Sequence, residues 1–259
     1  MDILKNIIAN KRQELLVARQ KVPAGTLEKD PLFVRPTISL RDGLARSSQG
    51  GIIAEFKRKS PSRGLISEHA DPVTISRGYV QAGACGLSVL TDYKYFAGRG
   101  EDLVRVREAN SIPILRKDFI IDEYQVLETR VWGADVILLI AAVLGKDEVF
   151  NLSALARSLG LEILLEVHEE SELDVLNENI DIVGVNNRDL KRMVTDVNTS
   201  MTLSENIPEY FPKISESGIS DPETISTLKE YGYSGFLIGE HFMQQRDPAQ
   251  ACRKLIEGL

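Results

Sequence analysis

The chain of 259 residues carries 31 Lys and Arg against 38 Asp and Glu, a net charge of −7, and 43% of it is hydrophobic. This composition excludes a disordered chain, a collagen-like repeat and a disulfide-rich scaffold. The longest uninterrupted apolar run, residues 136–144, is far short of the ~20 residues that cross a bilayer, and Lys5, Lys11, Arg12 and Glu14 break any secretory apolar stretch at the N-terminus.

The first 48 residues stand apart from the rest. Ile3, Leu4, Ile7, Ile8, Leu15, Leu16 and Val17 share one helical face, with Lys and Arg between them. Residues 22–36 contain Pro23, Pro31 and Pro36 and read as a connecting loop. Ser39 then reads as the N-cap of a short helix over residues 40–46.

From Gly51 a regular alternation begins. Short apolar runs occur at residues 52–56, 87–90, 112–115, 136–140, 161–167, 182–185, 213–215 and 236–238, with helical patterns between them. Asp71-Pro72 and Asp247-Pro248 each supply an N-cap followed by proline in the first helical turn. Ser220 with Glu223 has the spacing of a capping box. Gly133, Gly160 and Gly232 lie just before strands, where helix C-caps fall. Near-continuous apolar strands alternating with helices indicate a parallel sheet covered on both faces. Eight such units, with no glycine-rich dinucleotide or nucleotide loop among them, favour an α/β closed (β/α)8 (TIM) barrel over an open sheet. The expected organisation is a single domain over 1–259, with a helical extension at 1–48 and the barrel at 49–259.

Such a barrel carries its chemistry at the C-terminal ends of the strands. Here those ends are polar. The first runs into Glu55, Lys57, Arg58, Lys59 and Ser60. The third ends at Arg116, Lys117, Asp118 and Phe119, the fifth at Glu166, and the sixth at Asn186, Asn187, Arg188 and Asp189. Period-two alternation puts Ile53, Glu55 and Lys57 on one face. Two carboxylates and two lysines on one rim can supply an acid and a base whose pKa values are pushed apart. Ser217-Gly218 and Gly239-Glu240 end the last two strands, where backbone N–H groups and a short extra helix hold phosphate in such barrels. There Glu240 is expected to turn its carboxylate away and offer only its N–H. Lys213 is read as structural, with Glu162 as a partner. His69, His168 and His241 are placed in loops, Trp132 in packing, and residues 92–96 in a loop able to supply an aromatic wall. The acidic mean charge argues against nucleic acid as a partner. The basic residues at the strand ends nonetheless offer a local site for an anionic small molecule. Cys85 and Cys252 lack metal-ligand spacing and fit a reducing cytoplasm.

These strand ends carry a resemblance. The octapeptide Glu55-Phe56-Lys57-Arg58-Lys59-Ser60-Pro61-Ser62 resembles the strand-one signature of the indole-3-glycerol phosphate synthases of tryptophan biosynthesis. The stretches from Ser88 to Gly98, Ile114 to Phe119, Gly184 to Leu190 and Glu216 to Ile219 follow that family's motifs in order, and the likeness covers nearly the whole chain. It implies a monomeric barrel enzyme, a carboxy-lyase that works without metal or organic cofactor. The implied substrate is 1-(o-carboxyphenylamino)-1-deoxyribulose 5-phosphate, with ring closure, decarboxylation and dehydration as the reaction. It further implies Lys117 as the general acid and Glu166 as the principal base. Lys57 is then a partner for substrate anions and a second acid, Glu55 a positioning carboxylate, and Asn186 an orienting group. Ser60 and Arg188 match carboxylate contacts, and Ser217, Gly218, Gly239 and Glu240 match the phosphate cradle. Phe96, Phe119, Leu138 and Leu190 match the slot for the aromatic ring. Gly239-Glu240 stands where many members have Gly-Ser, which removes a side-chain phosphate contact. Neighbouring positive charge and partial desolvation are expected to lower the pKa of a rim lysine. The alternatives are a Schiff-base ketose-phosphate aldolase, a phosphosugar isomerase working with paired carboxylates, and a non-catalytic phosphosugar-binding barrel. The loop at residues 57–64 is a candidate lid, with Gly64 as its hinge.

Overall fold

A computed structural model describes residues 3–47, 50–189 and 194–259. Eight parallel strands close into a barrel: β1 Ile52–Phe56, β2 Gly86–Leu90, β3 Ile114–Lys117, β4 Val136–Ile140, β5 Glu162–Val167, β6 Ile182–Asn186, β7 Lys213–Glu216 and β8 Tyr233–Ile238. Each strand pairs with the next, and β8 returns to β1 with Ile52 opposite Phe236. The ring is closed by register, so no strand edge is left open. Alternation along each strand divides the core in two. Ile53, Leu115, Leu138, Leu164, Ile214 and Leu237 fill the barrel interior, while Ile52, Ala54, Ile137, Ile163, Val183 and Phe236 face the surrounding helices.

The extension caps both ends of that interior. Its first helix, α1, runs over Ile3–Lys21 and packs Leu4 and Ile7 into the interior cluster from above, beside Phe119 and Leu138. Lys11, only 5% exposed, ties α1 down through ion pairs of 2.9 Å to both Asp92 and Asp118. The helix Leu40–Arg46, α2, packs Leu40 and Leu44 into the same cluster from the other end. Glycine at Gly86 and Gly235 makes room there, because a Cβ would come within 2.7 Å of Leu40 and 2.6 Å of Leu44. Burying each leucine contributes about 1.5–3 kcal/mol. Ser39 caps α2 as the sequence implies, and the carboxylate of Glu162 accepts from Leu40 N at 2.7 Å and Arg41 N at 3.1 Å.

Several local expectations are corrected. The stretch at residues 22–36 is no plain loop. It forms a helical turn at Ala24–Leu27 and a 3-10 turn at Pro31–Val34, the latter capped by Asp30. Asp221, not Ser220, caps the helix Pro222–Glu230, accepting from Thr224 N at 2.8 Å with Pro222 in the first turn. It is a third Asp-Pro start and a stronger signal than the serine two residues before the proline. The connection from β5 to β6 carries only a 3-10 segment, Glu170–Val175, where a helix was expected. Glu162 is occupied by α2, so Lys213 instead donates to Ser204 O at 3.0 Å and Tyr231 O at 2.9 Å. His241 lies in a short helix, Glu240–Met243, rather than in a loop.

Candidate active site

A cavity of about 410 Å³ opens at the C-terminal ends of the strands, between the barrel mouth and α1. Its walls bring together Glu55, Lys57, Ser60, Phe96, Lys117, Phe119, Leu138, Glu166, Asn186, Arg188, Ser217, Gly218, Gly239 and Glu240. Leu190 lies outside the described residues, as do Lys191 and Arg192. From α1 come Ile3, Leu4 and Ile7, so the extension is itself a wall of the cavity.

The polar floor has two clusters. Glu55 accepts from Lys57 Nζ at 2.7 Å and faces Ser88 Oγ at 3.4 Å. Opposite, Lys117 Nζ sits 2.5 Å from both Glu166 Oε2 and Glu216 Oε2. These carboxylates are 3% and 2% exposed, so the pair is desolvated and its charges interact strongly. Burial pulls the ammonium of Lys117 down, but Glu166, Glu216 and Glu55 outweigh it and hold the pKa above that of an ordinary lysine. This reverses the expectation of a lowered lysine. The nearest partners of Lys117 are anions rather than cations. The two carboxylates are pushed apart. Burial and the neighbouring anionic Glu166 push Glu216 up to about 7. Burial also raises Glu166, but Lys117 and His168 prevail and bring it down to about 2.

Glu216 carries no assigned role in the sequence beyond opening the stretch Glu216 to Ile219. In the barrel Ile214 and Glu216 point inward. Ser217 reaches the cavity because the chain turns there: its φ is +70°, and that of Gly218 is +78°. The left-handed conformation suits Gly218 and strains a serine. At Gly239 close packing decides the residue, since a Cβ would meet Glu55 Oε1 at 2.4 Å.

Arg188 and Glu240 form the far wall. Arg188 Nη1 donates to Ser62 Oγ at 2.8 Å, its Nε to Thr195 Oγ1 at 3.1 Å, and its Nη2 to Glu240 Oε2 at 3.2 Å. Arg63 Nε donates to the other oxygen of Glu240 at 3.0 Å. Glu240 therefore does not turn away from the mouth. It bridges Arg63 and Arg188, the second of which was expected to be open to an anion. Ser60, in the hairpin formed by Lys59–Ser60 and Gly64–Leu65, accepts at its Oγ from Arg63 N at 3.2 Å. Phe96 and Phe119 stand 6.2 Å apart at 40°, forming one side of an apolar slot.

Two of the basic residues counted on the rim are not part of the site. Arg116 is 2% exposed and lies outside the barrel. Since Leu115 and Lys117 face inward, alternation sends it out against Gln125 O, Glu128 and the ring of Trp132, 4.0 Å away. Arg58 is held by both oxygens of Asp102 and packs on Phe56.

The family model described as indole-3-glycerol phosphate synthase matches residues 4–255. The chain belongs to the indole-3-glycerol phosphate synthase family. It is 45% identical over 258 residues to the indole-3-glycerol phosphate synthase of Bacteroides thetaiotaomicron, covering 100% of this chain and 99% of that one. It is 43% identical over 258 residues to that of Acidithiobacillus ferrooxidans, covering 98% of each. Among solved structures, the tryptophan synthase alpha subunit of Legionella pneumophila matches with a TM-score of 0.61 at 13% identity, over 85% of this chain and 95% of that one, a likeness of fold alone. The indole-3-glycerol phosphate synthase motifs quoted from the sequence thus lie around one cavity, except for the part of the Asn-Asn-Arg-Asp-Leu stretch at Leu190. The groups that sequence reasoning passed over are Glu216, His168 beside Glu166, and Lys11. For Glu216 the signal was available, in the period-two relation to Ile214.

Proposed function

We propose that this chain closes the indole ring of 1-(o-carboxyphenylamino)-1-deoxyribulose 5-phosphate to give indole-3-glycerol phosphate. The observation that carries this reading is Lys117, held between the carboxylates of Glu166 and Glu216 at the mouth and facing the Glu55–Lys57 pair.

In the first step a bond forms between the ring carbon bearing the carboxylate and the ketone carbon. The ketone oxygen becomes an alkoxide and takes a proton from Lys117, whose ammonium stabilises the developing charge. Carbon dioxide leaves, and its bonding electrons restore the aromatic ring. Dehydration then breaks the bond to the hydroxyl, protonated by Lys57 as it departs as water, while Glu166 removes the proton that completes the double bond. The two halves are coupled electrostatically. While Lys117 is charged, Glu166 is held down to about 2 and is a weak base. Once the lysine has given up its proton, that restraint is gone and Glu166 becomes more basic. The Phe96–Phe119 slot and Leu138 suit the anthranilate ring, Ser60 and Arg188 its carboxylate, and the turns at Ser217-Gly218 and Gly239-Glu240 the phosphate. Asn186 orients the substrate. Holding both ends presses the reacting carbons together, an effect worth up to ~7–11 kcal/mol in favourable cases.

A Schiff-base aldolase needs a neutral lysine, and the paired carboxylates disfavour one at Lys117. The working form is taken as a cytoplasmic monomer without a nucleic-acid partner. Every residue assigned here comes from one chain, and light scattering should give the mass of a single copy. A fluorescence assay for indole-3-glycerol phosphate with the purified chain tests the activity directly, and no product from this substrate would reject it. Arg188→Ala should mainly raise KM, as loss of a ground-state contact does. A large fall in kcat at unchanged KM would contradict its binding role.

A further inference from the structure

His168 follows the last residue of β5 and is not needed for any step above. Its surroundings are nonetheless specific. The side chain is 12% exposed, and Nδ1 lies 3.3 Å from Glu172 Oε2. The same oxygen accepts from the His168 backbone N at 2.6 Å, so the 3-10 segment after β5 fixes the ring from behind. On its other side Nε2 is buried, makes no hydrogen bond, and points to Glu166 Oε1 at 3.5 Å. A buried ring nitrogen left without a partner is costly, and here the group in front of it is the oxygen of Glu166 that Lys117 does not hold. The outcome is a line of groups from the outside inward: Glu172, His168, Glu166, Lys117 and Glu216.

We propose that His168 is a positioning residue for Glu166, clamped by Glu172 on Nδ1 and presenting Nε2 to Glu166 Oε1. The inference rests on the reading of Glu166 as the base. Lys117 holds one oxygen of that carboxylate only until its proton is spent. His168, together with the Asn186 side chain, then remains to keep the carboxylate aimed and ionised for the dehydration step. Charge on the ring follows from the same geometry. Burial opposes it, but the hydrogen bond to Glu172 and the charges of Glu166, Glu172 and Glu216 favour the imidazolium, and its pKa is raised. The charged groups facing the ring are Glu166 from β5, Glu172 from the 3-10 segment and Glu216 from β7, with Lys117 of β3 behind Glu166.

The test compares His168→Leu, His168→Gln and Glu172→Gln with the parent enzyme in kcat, KM and pH profile. His168→Leu should lower kcat by up to about 100-fold with KM nearly unchanged. It should move the acid limb of the kcat profile to higher pH, because loss of the imidazolium raises the pKa of Glu166. His168→Gln keeps a donor without the charge and should restore part of kcat while leaving the limb displaced. Glu172→Gln should displace the limb in the same direction by less. In a Glu166→Gln background, His168→Leu should add no further loss. Folded variants with an unmoved pH limb and unchanged kcat would overturn the proposal. So would an equal fall from His168→Leu in both backgrounds, since the residue would then act independently of Glu166. Glu166→Gln with full kcat would instead reject the base assignment itself.

Discussion

Lys117→Met is expected to lower kcat by roughly 10²- to 10⁴-fold, the usual contribution of a positioned general acid, while the substrate still binds. The argument is geometric first. No other described cation lies between Glu166 and Glu216, and Lys57 is held by Glu55 across the cavity. Fluorescence titration with the product should show binding close to that of the parent. Retention of near-normal kcat would remove Lys117 from the acid role. The substitution also leaves two carboxylates buried side by side, and such a pair takes up protons rather than carry two charges. With the lysine gone, the pKa values of Glu166 and Glu216 in the folded state lie above the ordinary carboxylate value. Groups raised in this way favour folding below their ordinary pKa, and that favour is lost as pH rises through the raised values. Glu216 already stands at about 7 with the lysine present, so the variant should lose stability relative to the parent between pH 5 and pH 8. A Tm difference that narrows over this range would contradict the electrostatic account.

Asp135→Ala is expected to cost about 3–5 kcal/mol of stability, because it strips a buried charge from its partners. Asp135 is 0% exposed. Its Oδ1 accepts from Arg35 Nη2 at 2.7 Å and Ile38 N at 2.9 Å, and its Oδ2 from Arg107 Nη1 at 2.8 Å and Ile114 N at 2.9 Å. One side chain thus fastens the extension to the start of β3 and to the helix before it, at the end of the barrel away from the cavity. For a chain of this size the loss corresponds to a fall in Tm on the order of 10 °C. Below that temperature kcat should be unchanged, since no cavity residue is touched. A shift of less than about 2 °C would show that the arginines find other partners.

The two variants separate kinds of information that the chain encodes differently. Lys117, Glu166 and Glu55 were legible because strand alternation and motif spacing act over a few residues, and a rim lysine or glutamate stands out against apolar neighbours. Asp135 carries no local signal of its role, and Glu162 was read as a partner of Lys213. Their partners, Arg35 and Ser39, come from about 100 and 123 residues away. Lys11 in α1 read as part of a polar helix face, yet it is buried against Asp92 and Asp118. His168 was placed in a loop, and it does lie between β5 and the 3-10 segment Glu170–Val175. That 3-10 segment is what brings Glu172 to its ring.

The alternation of strands and helices, the barrel that follows from it, and the residue types that end each strand are written in the order of residues alone. Those properties depend on periods of two and 3.6 residues and on local caps. The electrostatics of the mouth arise from contacts between distant segments. Whether Lys117 is lowered or raised, and whether Arg116 and Arg58 serve a ligand or the packing, depends on which charges the closed ring brings within a few ångströms in a desolvated space. The inward or outward direction of Glu216 and the seating of α1 over the cavity are settled by closure of the barrel in the same way.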